Sequence, residues 1–336
     1  MRFHAFASAP HFVDHLAPVW AALDPEERGT FYVQSRALGL HAATRHGLDV
    51  TINRAMPRAT VTAIAGRQPP VLVASSGDAA QLGTHRRSVL LEHGAGQTYR
   101  GDPRSARSSG YAGGDDRRMV DVFLCPNEDV AAANRARYPA ADSVAVGSPK
   151  LDRWHGWQPA PIDERRVAVT FHWPCRLVPE AGSAWGHYRE WFEARPRFAP
   201  ILDGHAHPRH ASTLSRWWPR VGARWVPHLD DVLATALVFV ADNTSAMFEA
   251  AAIGIPVVVL NAPWYRRDVS HGLRFWTWAD IGPQVDRPDD LEQVVFGDAF
   301  HPAYRIRRAQ MADAVFGPLD GGASARAVAA LRRSYS

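Results

Sequence analysis

The sequence predicts an α/β fold with two domains, and three observations lead to this prediction. Short apolar segments rich in β-branched residues alternate with helix-like segments along most of the 336 residues. A proline-rich break, "HGWQPAPIDER" (155–165), interrupts the alternation, which then restarts. A chain of this length can bury two cores of ordinary size. Apolar strands separated by helices are typical of parallel sheets covered on both faces.

The first half of the chain, residues 1–157, reads as one Rossmann-like domain. Its strand candidates are 2–7, 30–34, 71–75, 88–92, 120–125 and 143–147, because each is a short apolar run. The helix candidates between them are 10–22, 36–46, 78–82 and 128–138. These helices supply the crossovers that a parallel sheet requires in four of the five connections.

The second half, residues 164–318, repeats the pattern. Its apolar runs are 165–173, 198–208, 223–227, 236–241 and 256–260. A helix is predicted over 245–253, since Gly254 is a typical C-terminal stop and Pro256 prevents continuation. The terminal helix, 322–333 within the segment 320–336, fits either half, and one option packs it back on the first domain.

Composition and charge narrow the class of protein. Hydrophobic residues make up 46% and charged residues 21%, as in ordinary soluble proteins, and no apolar run is long enough for a transmembrane helix. Cys125 and Cys175 form no metal or redox motif, so we expect a cytoplasmic protein, with peripheral attachment to the inner membrane face as an option. A pI near 9.3 is compatible with an anionic partner. The basic segments 102–110 and 305–310 are either phosphate contacts or solvated faces.

The segment "VFVADNTSAMFEAAAIGIPVVVL" (238–260) places a small polar patch between two apolar strands. The first turn of the predicted helix has backbone N–H groups without intrahelical partners and the positive end of the helix dipole. With Asn243 and the hydroxyls of Thr244 and Ser245, it predicts a phosphate site without lysine or metal. Glu249, one turn deeper, is placed to accept a hydrogen bond from a ribose hydroxyl. The alternative is an ordinary capped helix.

The segment "SVLLEHGAGQTY" (88–99) ends a buried strand at Glu92 and His93. Gly94 and Gly96 let the backbone approach a ligand closely. A histidine at the carboxyl end of a parallel strand is placed to take a proton from an acceptor hydroxyl. A purely structural histidine is the alternative, and the two glycines favour the functional interpretation.

The segment "LDGHAHPRH" (202–210) is a strand that ends among three histidines. The spacing of two places His205 and His207 on one side of the strand, so metal ligation is one option. No carboxylate pattern accompanies the pair. A hydrogen-bond donor to a phosphate or to an acceptor oxygen is therefore the favoured interpretation.

The segment "VAVTFHWPC" (167–175) ends a strand in His172 and Trp173. The tryptophan either stacks on a base or a sugar or packs in the core, and the core is the more common place for it. His172 joins the histidines that we expect at the carboxyl edge of the second sheet.

The order of these motifs resembles that of the CDP-glycerol glycerophosphotransferase family, the teichoic acid polymerases and primases. The family's HG and HP motifs are similar to His93-Gly94 and His207-Pro208, and its PTW motif is similar to "TFHWP". Its GxPRxD, TDYSSxxFD and DGxASxR motifs are similar to "GSPKLD" (147–152), "ADNTSAMFE" (241–249) and "DGGASAR" (320–326). The sequence departs from the family in "HGAGQTYR" and in Asn243, which replaces a tyrosine.

This resemblance implies a GT-B fold, an α/β architecture of two Rossmann-like domains whose parallel sheets face a central cleft. It implies an acceptor-side domain at 1–157 and a donor-binding domain at 164–318. His93 then matches the catalytic base, and His207 is assigned to both catalysis and donor binding. The other residues assigned to the donor are Gly94, His172, His205, Asn243, Thr244, Ser245 and Glu249, and no residue is assigned to a metal.

These assignments predict a metal-independent transferase that needs no cofactor. It would move a glycosyl or glycerol-phosphate group from a nucleotide-diphosphate donor to a hydroxyl acceptor, with His93 as base. The acceptor would be a glycan, a lipid-linked molecule or a nucleic acid. Three alternatives remain: a sugar-nucleotide epimerase or hydrolase of the same fold, whose sites carry acids and histidines around the diphosphate; a glycosyltransferase acting on nucleic acid; and a non-catalytic nucleotide-binding module.

Overall fold

A computed structural model shows the chain as two α/β units, each built around its own parallel sheet. It describes residues 1–53, 69–82, 87–93, 117–174, 182–195, 198–265 and 278–336. Unit 1 comprises Met1–His155 and Asp313–Ser336, and unit 2 comprises Gly156–Ala312. The terminal segment, which fits either half by sequence, lies in unit 1.

Unit 1 contains a sheet of seven parallel strands in the order β3-β2-β1-β4-β5-β6-β7. The strands are β1 (Phe3–Ala7), β2 (Arg28–Val33), β3 (Thr51–Ile52), β4 (Val71–Val73), β5 (Ser88–Leu91), β6 (Val122–Cys125) and β7 (Asp142–Ala145). The strand order reverses between β1 and β4, and ligands of such sheets bind outside the carboxyl ends of the strands at this point.

Among the described residues of unit 1, four helices follow strands along the chain. They are α1 (Pro10–Ala22), α2 (Arg36–His46), α3 (Ser76–Leu82) and α4 (Glu128–Arg137). The proline ring of Pro10 suits the first helical position of α1, where no intrahelical N–H is needed. Gly47 ends α2 in a left-handed conformation, with φ of 62°. Apolar side chains of the central strands are buried on both faces of the sheet, where they form two separate clusters.

Unit 2 contains a sheet of six parallel strands in the order β10-β9-β8-β11-β12-β13. The strands are β8 (Arg166–Phe171), β9 (Leu202–Ala206), β10 (Arg224–Trp225), β11 (Ala236–Ala241), β12 (Val257–Leu260) and β13 (Gln284–Val285). The strand order reverses between β8 and β11. The carboxyl ends of these two strands are therefore the expected ligand position of this unit.

Most of the described helices of unit 2 are short, and the longest of them continues into unit 1. They are α5 (Trp185–Glu193), α6 (Ala211–Arg220), α7 (Leu229–Thr235), α8 (Ala246–Ala252), α9 (Leu291–Phe296) and α10 (Pro302–Phe316). Trp218 of α6 packs directly on the backbone of β9 at Gly204, where an added Cβ would lie only 2.2 Å from the indole ring. A side chain at that position would separate α6 from the sheet.

The last helix, α11 (Ala323–Ser334), contributes to the core of unit 1. Asp152 accepts hydrogen bonds from the backbone N–H groups of Ala323 (3.0 Å) and Ser324 (2.7 Å), so its carboxylate caps this helix. Arg326 donates from Nε to the carbonyl of Val146 at 2.9 Å. These contacts join "GSPKLD" and "DGGASAR", two of the motifs on which the family resemblance rests.

Asn127 is expected to stabilise the packing of the C-terminal segment of unit 1, which begins at Asp313. Its Oδ1 caps α4 by accepting from the N–H of Val130 (2.9 Å), and its Nδ2 donates to the carbonyls of Ala314 (2.9 Å) and Val315 (2.8 Å). We expect Asn127→Ala to lower the free energy of unfolding by about 2 kcal/mol, since a cap and buried hydrogen bonds are lost.

Urea unfolding would measure this loss, with Asn127→Ser as the matched variant. Serine keeps the capping oxygen but lacks the amide, so it should lose about half as much. A serine variant as stable as the wild type would show that the contacts of Asn127 with Ala314 and Val315 contribute nothing to stability.

Most predicted elements of the core are present, with local differences. The run 198–208 is not one strand: a 3₁₀ turn at Ala199–Ile201 precedes β9, and the strand ends at Ala206. The predicted helix 245–253 is α8, which is shorter at both ends. Seven elements were not predicted from the sequence: α5, α6, α7, α9, α10 and the edge strands β3 and β13. Among the described residues, no helix is both long and apolar enough to cross a bilayer.

Candidate active site

Three neighbouring strands of unit 2 end in the residues that the sequence analysis selected. In the sheet register, Thr170 pairs with His205, Phe171 with Ala206, and Ala241 with Thr170. His172, His207 and Asp242 therefore follow the three strand ends at the same edge of the sheet. The N–H of His207 donates to the carbonyl of Phe171 at 3.1 Å, which extends the pairing past β9.

Asp242 ties the loops of this edge together. It is completely buried, and its two carboxylate oxygens accept from the backbone N–H groups of His172 (2.7 Å) and Ala184 (2.8 Å). Burial raises the pKa of Asp242 to about 7, although these hydrogen bonds favour the charged form. The carboxyl group thus positions the chain after β8 and the start of α5.

His172 and His207 lie side by side at this edge, with ring centroids 5.2 Å apart. Trp173 lies 6.2 Å from His207 between ring centroids, and the guanidinium of Arg209 covers the Trp173 ring at 4.7 Å. The ring of His210 contacts the carbonyl of His172 through Nδ1 at 3.0 Å, and burial lowers the pKa of His210. Two imidazoles, an indole and a guanidinium therefore converge at one place. Such a group of donors suits a phosphate with an attached ring.

His205 lies in a different environment from His207. Its Nδ1 is 2.9 Å from Oγ1 of Thr170, and its ring is parallel to that of Trp225 at a centroid distance of 6.5 Å. Its carbonyl accepts from Nε1 of Trp218 at 3.2 Å. The structure therefore places His205 within β9 against the neighbouring strands. Among the described residues, neither His205 nor His207 belongs to a cluster of three potential metal ligands.

The polar patch before α8, Asn243 to Ser245, contains one hydrogen bond to the start of the helix and hydrogen-bond donors that are not used in it. Ser245 is the N-cap residue of α8, and the residue before it, Thr244, accepts from the N–H of Ala246 through Oγ1 at a long 3.4 Å. Ser245 is half-buried, makes no side-chain capping bond, and its N–H has no hydrogen bond within the described part of the chain. Asn243 is 2% exposed and Glu249 is 4% exposed. Ser245 is therefore the member of this patch that is placed to donate to a ligand.

In unit 1, His93 follows β5 and lies among aromatic and imidazole rings. Its ring centroid is 5.1 Å from Phe12, 5.5 Å from His15 and 6.0 Å from His11, all on α1. Burial lowers the pKa of His93 to about 4, while a hydrogen bond to the Ala74 backbone opposes this shift. His93 is therefore neutral at physiological pH and able to accept a proton.

Three charged residues influence the pKa of His93: Glu92, Arg117 and Lys150. Glu92 is held by both guanidinium nitrogens of Arg117, at 2.6 and 3.0 Å, and by Nδ2 of Asn134 at 3.1 Å. Burial alone would raise the pKa of Glu92, but Arg117 outweighs it and the pKa is lowered. Lys150 is the only lysine of the sequence and is 5% exposed; its charge also lowers the pKa of His93.

Several residues of these sites were missed by the sequence analysis. Arg209 was recognisable only as the cation directly after the HP pair. Asp242 was recognisable only as the polar residue directly after the strand 236–241, and its contacts with other loops were not predicted. Asp78 of α3, 1% exposed, accepts from the N–H of Ser8 after β1 at 3.2 Å, and burial raises its pKa to about 6. Gly94, assigned to the donor site, lies outside the described residues, as does Gly96.

The comparisons with known proteins agree on architecture. No protein-family model and no curated protein matches this sequence. A UDP-GlcNAc 2-epimerase from Neisseria meningitidis bound to UDP-GlcNAc is similar over 99% of this chain and 100% of its own, with TM-score 0.59 and 14% identity. The Methanocaldococcus jannaschii UDP-GlcNAc 2-epimerase, in complex with UDP-GlcNAc and UDP, has TM-score 0.61 and 12% identity over 99% and 100%.

A third similar structure is the wall teichoic acid polymerase TagF soaked with CDPG. It has TM-score 0.63 and 9% identity, and the similarity covers 99% of this chain and 88% of the polymerase chain. The chain has the GT-B fold. At these identities the similarity establishes the fold alone, and the fold prediction is confirmed. Epimerases and a polymerase both use this GT-B architecture, so the reaction has to be argued from the site itself.

Proposed function

We propose that this chain is an enzyme acting on a nucleoside-diphosphate-linked sugar, with the diphosphate bound at the carboxyl edge of the unit 2 sheet. The observation that carries the proposal is the convergence of His172, His207 and the Arg209–Trp173 pair at the carboxyl ends of β8 and β9, next to the switch point between β8 and β11. Ser245 adds two donors from the neighbouring strand end. Solved proteins of similar structure carry UDP, UDP-GlcNAc or CDPG, which supports the same ligand class here.

The chemistry of this site suits the departure of a nucleoside diphosphate. When the bond between the anomeric carbon and the diphosphate oxygen breaks, negative charge accumulates on the phosphate. The guanidinium of Arg209 and the imidazoles are fixed hydrogen-bond donors that stabilise this charge. Asp242 keeps the backbone of His172 in position. We propose no metal for this step.

Unit 1 supplies the candidate acid-base group. His93, neutral because of its lowered pKa, accepts a proton from a hydroxyl, a water or a sugar carbon. Burial is the main reason why the pKa of His93 is lowered, and the positive charges of Arg117 and Lys150 act in the same direction. Asp78 is a second titratable group at the same sheet edge, and its raised pKa suits the return of a proton.

For the overall reaction we favour an epimerase or hydrolase that cleaves a UDP-linked sugar without a second substrate. Similarity to UDP-GlcNAc 2-epimerases over the full chain supports this class, as does the group of histidines and buried acids. The second candidate transfers a glycosyl or glycerol-phosphate group to a hydroxyl acceptor. It is supported by the 241–249 and 320–326 motifs and by the similarity to TagF.

A nucleotide panel tests the binding part of the proposal. Thermal unfolding would be followed with UDP, CDP, GDP, ADP and dTDP, each with and without Mg²⁺. A nucleotide at 100 times its dissociation constant adds about 2.7 kcal/mol to stability, which raises the midpoint by a few degrees. We expect UDP to stabilise the protein without Mg²⁺. A panel in which no nucleotide does so would contradict the proposed function.

Substituting His207 is expected to weaken UDP binding. His207→Ala removes one donor to the diphosphate, and a hydrogen bond to a charged group is worth about 1.5–3 kcal/mol. The dissociation constant measured by calorimetry should rise by about 10- to 100-fold. His301→Ala, at an exposed position of the same unit, is the control and should bind UDP as the wild type does. Unchanged binding in His207→Ala would remove this residue from the site.

The two reactions are separated by incubation with a UDP-sugar alone. An epimerase or hydrolase produces the epimer or releases UDP and sugar without any acceptor. A transferase does neither until a hydroxyl acceptor is supplied. UDP-GlcNAc is the first substrate to test, and exchange of its C2 hydrogen with solvent deuterium would identify proton abstraction from carbon.

A further inference from the structure

A cluster of three side chains in unit 1 lies outside both sites described above. Asp14 of α1 contacts two histidines of α2 through the same carboxylate oxygen, Oδ1. Nε2 of His41 lies 2.7 Å from this oxygen, and Nε2 of His46 lies 2.8 Å from it. One ligand atom from each of the three residues lies within 4.8 Å of the others. Asp14, His41 and His46 are named the α1–α2 cluster.

The chemistry of this cluster is that of a transition-metal site. Two imidazole nitrogens and one carboxylate oxygen are a common ligand set for Zn²⁺ and its neighbours, whereas Ca²⁺ and Mg²⁺ prefer oxygen ligands alone. Around a tetrahedral Zn²⁺ the ligand atoms are about 3.3 Å apart. Small side-chain rotations, which widen the present 2.7 and 2.8 Å contacts by about half an ångström, would admit the ion.

The surroundings of the α1–α2 cluster contain charges that favour a bound metal ion and one charge that opposes it. His46 is the last residue of α2, where the carbonyl end of the helix favours a cation. The two histidine contacts hold the pKa of Asp14 far below its usual range in spite of burial, so the carboxylate is charged at every ordinary pH. Lys150 acts against a metal, since its charge also reaches Asp14. The side chains of His41, His46 and Asp14 are only 8%, 15% and 22% exposed, so a bound ion would be shielded from solvent.

We propose that the α1–α2 cluster binds one divalent transition-metal ion, with Zn²⁺ as the best fit, as a structural site joining α1 to α2. Asp14, His41 and His46 supply three ligands, and a water molecule completes the tetrahedron. The ion takes no part in the proposed reaction. Because α1 also carries His11 and His15, which contact His93, the ion would fix the helix that lies against the candidate base.

The test is metal binding by the untagged, full-length protein. After chelator treatment and buffer exchange, Zn²⁺ is titrated by calorimetry and the bound metal is counted by mass spectrometry; Co²⁺ is titrated in parallel because a tetrahedral site colours it. We expect one equivalent of Zn²⁺ and a thermal midpoint that rises with its concentration. His46→Ala should weaken binding by more than about 100-fold, since even indirect partners of metal ligands contribute 10- to 100-fold.

His46 is partly exposed at a helix end, so His46→Ala should fold, which circular dichroism would check. The matched control is His155→Ala, an exposed histidine of the same unit, which should keep full affinity. Wild-type protein that takes up less than one equivalent would overturn the proposal. Equal loss of affinity in His46→Ala and His155→Ala would do the same, and the cluster would then be a hydrogen-bonded tie between two helices. Neither result bears on UDP binding in unit 2.

Discussion

Asp242→Asn is expected to lower the free energy of unfolding by about 3 kcal/mol at pH 5, a large effect for a change of one atom. Both oxygens of Asp242 accept backbone N–H groups, from His172 and from Ala184, in a completely buried position. Asparagine keeps one acceptor and places an NH₂ group against the other N–H. One buried donor then loses its partner and faces a second donor.

The loss of unfolding free energy in Asp242→Asn should become smaller as the pH rises. The folded-state pKa of Asp242 is about 7, above the ordinary aspartate value of 3.8, so the protonated form is favoured by folding. Stability contributed by this proton is present at low pH and is lost as the pH rises from about 4 through 7. The variant has no such group. Its difference from the wild type in urea unfolding should therefore be larger at pH 5 than at pH 8.

Asp203→Asn is the matched control, because Asp203 is equally buried in the same sheet, at 1% exposure. Its carboxylate bonds Arg166 (2.6 Å) and Arg224 (2.5 and 2.8 Å). Both variants should be less stable than the wild type, but only Asp242→Asn should also weaken UDP binding, because Asp242 positions His172. Equal UDP affinity in the two folded variants would mean that this carboxylate supports the sheet alone.

The predictable parts of the fold are the buried strands, because burial on both faces leaves a continuous run of apolar residues in the sequence. β6, β11 and β12 are continuous apolar runs, because both faces of a parallel sheet are covered. β3 and β13 were missed since each has two residues, too few to show any periodicity. The helix α6 was missed for another reason: it contains three bulky or breaking residues, Trp217, Trp218 and Pro219, and it owes its place to packing on Gly204.

The candidate site was predictable where strand ends carry the chemistry. His172 and His207 follow neighbouring strands, so the sheet alone brings them together. Asp242 and His172 are 70 residues apart in the sequence, and only the fold shows that one accepts a hydrogen bond from the other. His205 shows the limit of a period-two argument, because a residue inside the strand is surrounded by its neighbours while one just past its end is not. The roles of all these residues stay predictions until binding and turnover are measured.

His93→Gln is expected to reduce turnover of the nucleotide sugar by about 10²- to 10⁴-fold, the usual contribution of a general base. Glutamine keeps a similar polar shape but accepts no proton, so folding and the UDP site of unit 2 should be unchanged.

The pH profile of the wild type decides the role of His93. Its pKa of about 4 means that the base stays neutral from pH 8 down to about pH 5, and kcat/KM should fall only as the pH drops through about 4. An ordinary exposed histidine would give this limb near 6.5. His301→Gln is the exposed control and should retain full activity. Full activity in His93→Gln would exclude this histidine as the base.

A wild type that binds UDP but turns over no sugar nucleotide, with or without acceptor, would instead support the non-catalytic binding module. A GT-B pocket can bind a nucleotide without any proton being moved.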